Sequence, residues 1–160
     1  MPSDSAARKL QPRLDLDSFV PYRLSVLSNR VSGAIASEYS ERFDLTIPEW
    51  RVMAVLGGTP GLSAREVAER TAMGKVQVSR AVARLLMARR IQKEADGEDG
   101  RVTRLQLSAK GRAIYDEIVP LALHLEEAFL SALTPAERKT FDALMTKLGR
   151  KARLFTKSDR

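Results

Sequence analysis

The sequence contains no cysteine and only one histidine, and both shortages exclude classes of chemistry. Without cysteine the chain has no disulfide, no thiol nucleophile and no cysteine-based redox sensor. The single histidine, His124, argues against a zinc site, because zinc usually takes several His or Cys ligands. We therefore expect a protein without metal or cofactor.

Long apolar segments and enzyme signatures are missing as well. No stretch approaches the roughly 20 apolar residues of a membrane helix, and residues 1–18 lack the apolar core of a signal peptide. The sequence holds no recognisable Ser–His–Asp set, carboxylate pair or metal cluster, and "GGTPG" (57–61) is too short to bind a nucleotide. These absences predict a cytoplasmic protein that is not an enzyme, with no membrane contact and a flexible tail over residues 1–17.

Acidic residues are scarce in the middle of the chain. Residues 63–112 contain 12 Lys or Arg against 6 Asp or Glu, so this span carries +6 of the net charge of +7. Within it, residues 71–90 contain five cations and no acid. A basic surface concentrated in this way favours a polyanionic partner such as DNA.

Apolar periodicity predicts long helices at both ends of the chain. One stripe recurs in steps of three and four at Val20, Leu24, Leu27, Val31, Ile35 and Tyr39. This spacing predicts a helix over about 18–43. A second stripe consists of Ile114, Ile118, Leu121, Leu125 and Leu133. Pro120 within it predicts a kink or a break near Ile118, and a last helix is expected over about 135–155.

Three further helix starts share one capping pattern. Each places a hydroxyl three residues before a glutamate, as in "TIPE" (46–49), "SARE" (63–66) and "TPAE" (134–137). In such a capping box the hydroxyl accepts from the third helical N–H, and the glutamate accepts from the N–H of the cap. The three boxes therefore predict the first turns of the second, third and last helices.

A helix-turn-helix followed by a hairpin is predicted in the basic span. The link "TAMGK" (71–75) allows only a tight turn between the third and fourth helices. The segments 91–95 and 102–107 are short and compatible with β-strands, and "DGEDGR" (96–101) between them reads as a hairpin turn. A basic hairpin directly after a helix-turn-helix is a wing.

In this order of elements the chain resembles the MarR family of winged helix-turn-helix transcription regulators. The resemblance covers roughly residues 24–148. Its most specific stretches are "LTIPEWRVMAVL", "GLSAREVAERTAMGKVQVSRAVARL" and "DGEDGRVTRLQLSAKGR". Two positions depart from the family pattern: Gly97 stands where proline is frequent, and Gly100 where arginine is often found.

The resemblance implies a mainly α fold with a small β-hairpin wing, in which a winged helix-turn-helix domain carries N- and C-terminal dimerisation helices. It assigns residues 18–45 to a dimerisation helix, 46–111 to the DNA-binding domain and 112–157 to the C-terminal dimerisation helices. It further implies a homodimer on double-stranded DNA. Such a dimer binds a near-palindromic operator with one recognition helix in each of two major grooves.

Residues near the start of the fourth helix are the candidates for reading DNA. Gln77 and Arg80 are predicted to contact bases, because Gln can address adenine and Arg can address guanine. Ser79 is assigned to a base or a phosphate. Lys75 and Arg84 are assigned to phosphates, which set the register of the protein on the duplex.

Further DNA contacts are expected beside that helix. Ser63 and Arg65 open the third helix, where free N–H groups favour a phosphate. Arg101 resembles the family arginine that enters the minor groove, and Asp99 matches the acid that orients it. An ordinary role as a residue of the hairpin turn also explains Asp99. A solvated helix face is the ordinary explanation of a charge run, but the flanking helix-turn-helix and hairpin favour DNA here.

Family members commonly respond to small phenolic or aromatic carboxylates in a cleft between the dimerisation helices and the winged domain. The candidate effector residues are Arg23, Arg30, Trp50, Met53 and Tyr115. An arginine beside an aromatic wall suits a carboxylate, and some relatives recognise aromatic acyl-CoA thioesters. Plain core packing also explains Trp50 and Met53, and Arg23 and Arg30 could equally flank a dimer seam as solvated charges.

The predicted function is a ligand-responsive repressor released from its operator by a small aromatic acid or its CoA thioester. Two alternatives stay open. The first is a constitutive DNA-binding regulator that has no small-molecule effector. The second is a protein-interaction module whose basic helix binds an acidic partner, which the salt dependence of DNA binding would distinguish.

Overall fold

The computed structural model describes residues 13–95, 97 and 103–157, which form six helices and one β-hairpin. The elements are α1 (Val20–Phe43), α2 (Ile47–Gly58), α3 (Ala64–Thr71), α4 (Lys75–Met87), β1 (Ile91–Ala95), β2 (Thr103–Leu107), α5 (Ala109–Leu130) and α6 (Pro135–Lys157). The predicted class, mainly α with a small hairpin, is confirmed. None of the helices within these ranges is long and apolar enough to cross a membrane.

All three predicted capping boxes form. At α2 the Thr46 N–H donates to Glu49 Oε2 over 2.8 Å, and the Glu49 N–H donates to the Thr46 hydroxyl over 3.4 Å. Ser63 and Glu66 make the same two bonds at α3, over 2.8 and 3.3 Å. The third box, over 134–137, precedes α6 in the same way. Each cap stabilises its helix by about 1 kcal/mol.

The core lies where α2 crosses α4. Apolar side chains of both helices are almost fully buried there, together with Leu105 of β2 and Ile118 of α5. The members from the two crossing helices are Val52, Met53, Leu56, Val78, Ala81, Val82 and Leu85. Because residues 78, 81, 82 and 85 share one face of α4, the opposite face of that helix is left to solvent.

The turn between α3 and α4 is as tight as predicted. Ala72 caps α3 in the left-handed region, with φ 53°, and Gly74 caps α4 in an extended conformation. Only three residues separate the two helices, so their relative orientation is fixed by the turn.

The hairpin pairs β1 and β2 in an antiparallel register that joins Ile91 to Leu107 and Ala95 to Thr103. Beside this two-stranded sheet, Leu62 forms an isolated antiparallel bridge with Leu105. The Leu105 N–H donates to the Leu62 carbonyl over 2.8 Å. The loop before α3 is therefore hydrogen-bonded to the wing.

Of the two outcomes predicted at Pro120, a kink or a break, the break is wrong. α5 continues from Ala109 to Leu130 with Pro120 inside it. Proline removes the N–H that would donate to the carbonyl of Asp116, yet both residues are exposed, so water can bind that carbonyl. The buried side chain of Ile118 anchors the helix against the core at this point.

Large apolar side chains remain exposed on the terminal helices. On α1 the predicted stripe is buried only at its C-terminal end: Tyr39 is in the core, whereas Leu24 and Leu27 are exposed. The exposed apolar residues of α5 and α6 are Leu123, Phe129, Phe141, Leu144, Met145, Leu148, Leu154 and Phe155. So many exposed large apolar side chains on the terminal helices are typical of an interaction site in a globular protein.

Candidate nucleic-acid interface and aromatic cluster

α4 forms a ridge between two grooves. The larger groove, of about 970 Å³, separates α4 from α3 and the hairpin, and Lys75 and Ser79 line it. The smaller groove, of about 480 Å³, separates α4 from the start of α2, and Gln77 and Arg80 line it. A protruding helix of this kind can enter the major groove of B-DNA, which is about 12 Å wide.

The N-terminal half of this ridge is cationic and open to solvent. Lys75, Gln77, Ser79 and Arg80 are all exposed, as their assignment to DNA contacts requires. Gly74 provides no side-chain cap, so the first N–H groups of α4 stay available. Free N–H groups and the helix dipole favour a negative group at this end, such as a phosphate.

Arg84 is held by an acid that the sequence does not associate with it. Its Nε lies 2.6 Å from Oε1 of Glu49, a carboxylate whose side chain is only 3% exposed. The Arg84 side chain itself is 59% exposed, so it can still face a phosphate while the ion pair fixes its position. The sequence alone assigns Glu49 only to the capping box of α2.

Ser63 and Arg65 both have partners at the start of α3. The Ser63 hydroxyl donates to Glu66 Oε2 over 2.7 Å, and Arg65 Nε lies 3.1 Å from Glu69 Oε1. The Arg65 pair is exposed on both sides and so contributes little stability, which leaves the guanidinium able to exchange partners. Hydrogen bonds from Ser63 lower the pKa of Glu66, and the charge of Arg104 lowers it further.

The hairpin stands beside α4, as the wing assignment predicts. Lys93, in the middle of β1, and Thr103, the first residue of β2, line the larger groove together with Lys75. The predicted minor-groove residues Asp99 and Arg101 lie outside the described residues.

The effector candidates fall into two groups, of which only one forms a cluster. Trp50 is half-buried between two tyrosines, with its ring centroid 5.6 Å from that of Tyr39 and 5.9 Å from that of Tyr115. The guanidinium of Arg112 lies 5.1 Å from the Tyr115 ring centroid. These contacts join α1, α2 and α5 through one aromatic column. Met53 is fully buried in the core beside it.

Three polar or charged groups at this cluster, the Tyr39 hydroxyl, Arg51 and Arg112, are not evident from the sequence. Periodicity places Tyr39 in the apolar stripe of α1, but its hydroxyl has an unusual environment: burial raises its pKa to about 12, while the charge of Arg51 opposes the rise. Arg51 also donates to the Ser32 hydroxyl over 3.4 Å. The sequence signals the place of Arg51 only by its position directly after Trp50. It gives no such signal for Arg112, which is 62 positions away from Trp50.

The predicted arginines of α1 stand apart from this cluster. Arg23 and Arg30 are exposed, and no ring contact or ion pair of the described residues joins either of them to Trp50, Met53 or Tyr115. The cations near the aromatic column are instead Arg51 and Arg112. Across residues 13–95, 97 and 103–157, no three Asp, Glu or His side chains are grouped closely enough to bind a metal ion.

Comparisons with known proteins agree with this architecture. A model of the MarR family matches residues 43–102. The transcriptional regulator HosA of Escherichia coli O157:H7 is 28% identical over 105 residues, which cover 66% of this chain and 78% of HosA. The HTH-type transcriptional repressor Rv2887 of Mycobacterium tuberculosis is 26% identical over 132 residues, which cover 82% of this chain and 91% of the repressor.

Solved structures share the fold. A MarR/EmrR family regulator from Acinetobacter sp. ADP1 has a TM-score of 0.81 at 23% identity and covers 88% of this chain and 99% of its own. Bordetella bronchiseptica BpsR, whose DNA binding is regulated by 6-hydroxynicotinic acid, has a TM-score of 0.75 at 23% identity, with coverages of 86% and 98%. S. aureus MepR in complex with DNA has a TM-score of 0.73 at 20% identity, with coverages of 83% and 98%.

Proposed function

Because this chain belongs to the MarR family of winged helix-turn-helix transcription regulators, we propose that it is a homodimeric repressor that binds a near-palindromic DNA operator. The observation that carries the proposal is the exposed cationic ridge of α4 between two grooves. Its relatives are regulators, one of them named a repressor, and one solved structure with this fold is bound to DNA.

Each residue of the ridge has a proposed role. Gln77 and Arg80 contact base edges in the major groove, and Ser79 contacts a base or a phosphate. Lys75 contacts a phosphate beside the free N–H groups of α4, and Arg84, positioned by its ion pair, contacts another. Ser63 and Arg65, at the start of α3, contact a phosphate of the DNA backbone. Arg101, oriented by Asp99, enters the minor groove.

We propose that the dimer forms through the terminal helices, over 18–45 and 112–157. The support is the exposed apolar surface of α1, α5 and α6, which a second copy of the chain would bury. Dimerisation presents two α4 helices to one face of the duplex. A two-fold arrangement of this kind matches an operator whose half-sites are about one helical turn apart.

We further propose that a small aromatic acid, or its CoA thioester, releases the repressor. The aromatic column of Tyr39, Trp50 and Tyr115 lies between helices of the proposed dimer region and α2 of the winged domain, and Arg51 and Arg112 supply cations for a carboxylate. A ligand that prefers one arrangement of these helices shifts the population away from the arrangement that binds DNA. The regulation of BpsR by 6-hydroxynicotinic acid is a precedent for an aromatic acid on this fold.

The DNA-binding proposal is tested with the full chain and a pool of random duplexes. Repeated selection should enrich a near-palindromic sequence, and the mass of the protein in solution should be that of a dimer. A monomer in solution, or no enrichment at low salt, would contradict the proposal.

The effector proposal needs a separate measurement. Aromatic carboxylic acids and their CoA thioesters are screened for an increase in melting temperature and for a change in the fluorescence of Trp50, the only tryptophan. Compounds that bind should also weaken the complex with the selected duplex. If the duplex is enriched but no compound binds, the chain is the alternative, a constitutive DNA-binding regulator.

A further inference from the structure

Val76 is an apolar side chain that is exposed on the ridge of α4. It is the second residue of the helix and 66% exposed, whereas Val78, two positions later, is buried in the core. Packing therefore does not account for a valine at this position. Helix propensity does not account for it either, because valine is a weaker helix former than alanine.

The neighbours of Val76 are the side chains proposed to read bases. Gln77 is adjacent in sequence, and Arg80 lies one helical turn further on the same side of α4. All three line the smaller groove, opposite Thr46 and Pro48 at the start of α2. Lys75 and Ser79 line the other groove, so Val76 belongs to the flank that carries Gln77 and Arg80.

The major groove of DNA offers one apolar group on its base edges, the C5-methyl group of thymine. A branched hydrocarbon among hydrogen-bonding side chains at the tip of this helix matches that group. We propose that Val76 packs against the methyl group of a thymine in each half-site and is a specificity-determining residue beside Gln77 and Arg80. This inference rests on the proposed DNA binding.

The test uses the duplex that the full-length wild-type chain selects from the random pool. Each thymine is replaced in turn by deoxyuridine, which keeps the hydrogen-bonding edge of thymine and lacks only the methyl group. Removal of one buried methyl group should weaken binding roughly fourfold, and removal at both half-sites roughly sixteenfold. We expect this loss at one thymine position per half-site.

Two variants assign the effect to Val76. Val76→Ala shortens the side chain at an exposed position, so the fold should be retained and the discrimination between thymine and deoxyuridine at that position should disappear. Met87→Ala is the matched control: Met87 is also apolar, 84% exposed and on α4, but it lies roughly 16 Å along the helix from Val76. The control should discriminate as strongly as the wild type.

The outcomes separate this inference from the proposed function. If the wild type enriches a duplex but deoxyuridine weakens binding at no position, the assignment of Val76 is overturned and the DNA-binding proposal stands. Equal discrimination by Val76→Ala and the wild type overturns it in the same way. Failure to enrich any duplex overturns both.

Discussion

Glu49 and Arg84 form an ion pair that joins α2 to the ridge of α4, with Oε1 of the buried carboxylate 2.6 Å from Nε of the guanidinium. The other carboxylate oxygen of Glu49 accepts from the Thr46 N–H over 2.8 Å, which caps α2. One buried side chain therefore starts one helix and positions a cation on another. The proposed phosphate contact of Arg84 depends on this arrangement.

Removal of Arg84 should destabilise the protein more than its exposure suggests. Arg84→Ala leaves one oxygen of a buried carboxylate without a partner, which costs about 1–3 kcal/mol in the free energy of unfolding. The control is Arg65→Ala, which breaks a pair exposed on both sides and should cost less than about 0.5 kcal/mol. Urea unfolding measures both, and equal losses would contradict the structural role of Glu49.

Two adjacent glycines at the end of α2 should respond in opposite directions to alanine. A Cβ at Gly57 would lie 2.2 Å from the Tyr115 ring, whereas a Cβ at Gly58 would meet nothing within 4 Å. Gly57→Ala should lower the free energy of unfolding by about 1–3 kcal/mol through overpacking. Gly58→Ala should raise it by up to about 1 kcal/mol, because alanine favours a helix. Thermal or urea unfolding of the pair gives the comparison, and a Gly57→Ala variant as stable as Gly58→Ala would argue against the packing of Tyr115 on α2.

Replacing Arg89 with glycine should stabilise the protein. It follows the C-cap of α4 with φ 56°, and the N–H groups of Arg89 and Arg90 donate to the carbonyls of Leu86 and Leu85. This is the left-handed position after a helix that favours glycine. Arg89→Gly should raise the free energy of unfolding by roughly 1 kcal/mol. Arg89→Ala removes the same charge but keeps the strain, so any gain equal to that of glycine would contradict this explanation.

The capping box at α3 should make stability depend on pH. The pKa of Glu66 is lowered by hydrogen bonds from Ser63, so the ionised carboxylate stabilises the fold above its ordinary pKa of 4.5 and this contribution is lost as the pH falls. Glu66→Gln should therefore be less stable than the wild type at pH 6–7. The difference should shrink below about pH 4.5, as the wild-type side chain becomes neutral. Melting temperatures across this range measure it, and a constant difference would contradict the role of the charge.

Lys75 should contribute to DNA binding through charge alone. Removing one phosphate-binding cation lowers the slope of log K against log salt by about 1, so Lys75→Ala should lower it by about 2 in a dimer. Lys139→Ala, an exposed lysine of α6 outside the ridge, is the control and should leave the slope unchanged. Binding to the selected duplex at several salt concentrations checks this, and a slope unaffected by Lys75→Ala would remove that residue from the interface.

Local signals account for the parts of the fold that can be predicted from sequence. The capping boxes at Thr46, Ser63 and Thr134 place their own partners three residues away, so the starts of α2, α3 and α6 follow from short motifs. The hairpin follows from another local signal, the turn segment 96–101 between two short segments compatible with β-strands. Pro120 does not predict the end of the helix correctly, because the effect of proline depends on whether the carbonyl that it leaves unpaired is buried or exposed.

Pairings between distant segments cannot be read from the sequence. The pairing of Glu49 with Arg84 spans 35 positions and depends on how α2 crosses α4. The column of Tyr39, Trp50 and Tyr115 combines three helices, so periodicity assigns its members separately. The predicted stripe of α1 is right in phase, but periodicity alone does not distinguish a face buried within the chain from one left for a partner.

The bridge between Leu62 and Leu105 limits how the winged domain can move. Because β2 is hydrogen-bonded to the segment that leads into α3, bending the hairpin away from the helix-turn-helix would break backbone bonds at the centre of the domain. The wing, α3 and α4 should therefore travel as a single rigid unit. A conformational change that switches the protein would have to occur where this unit joins α1 and α5. If two such conformations were superposed on the sheet, α4 would occupy the same position in both.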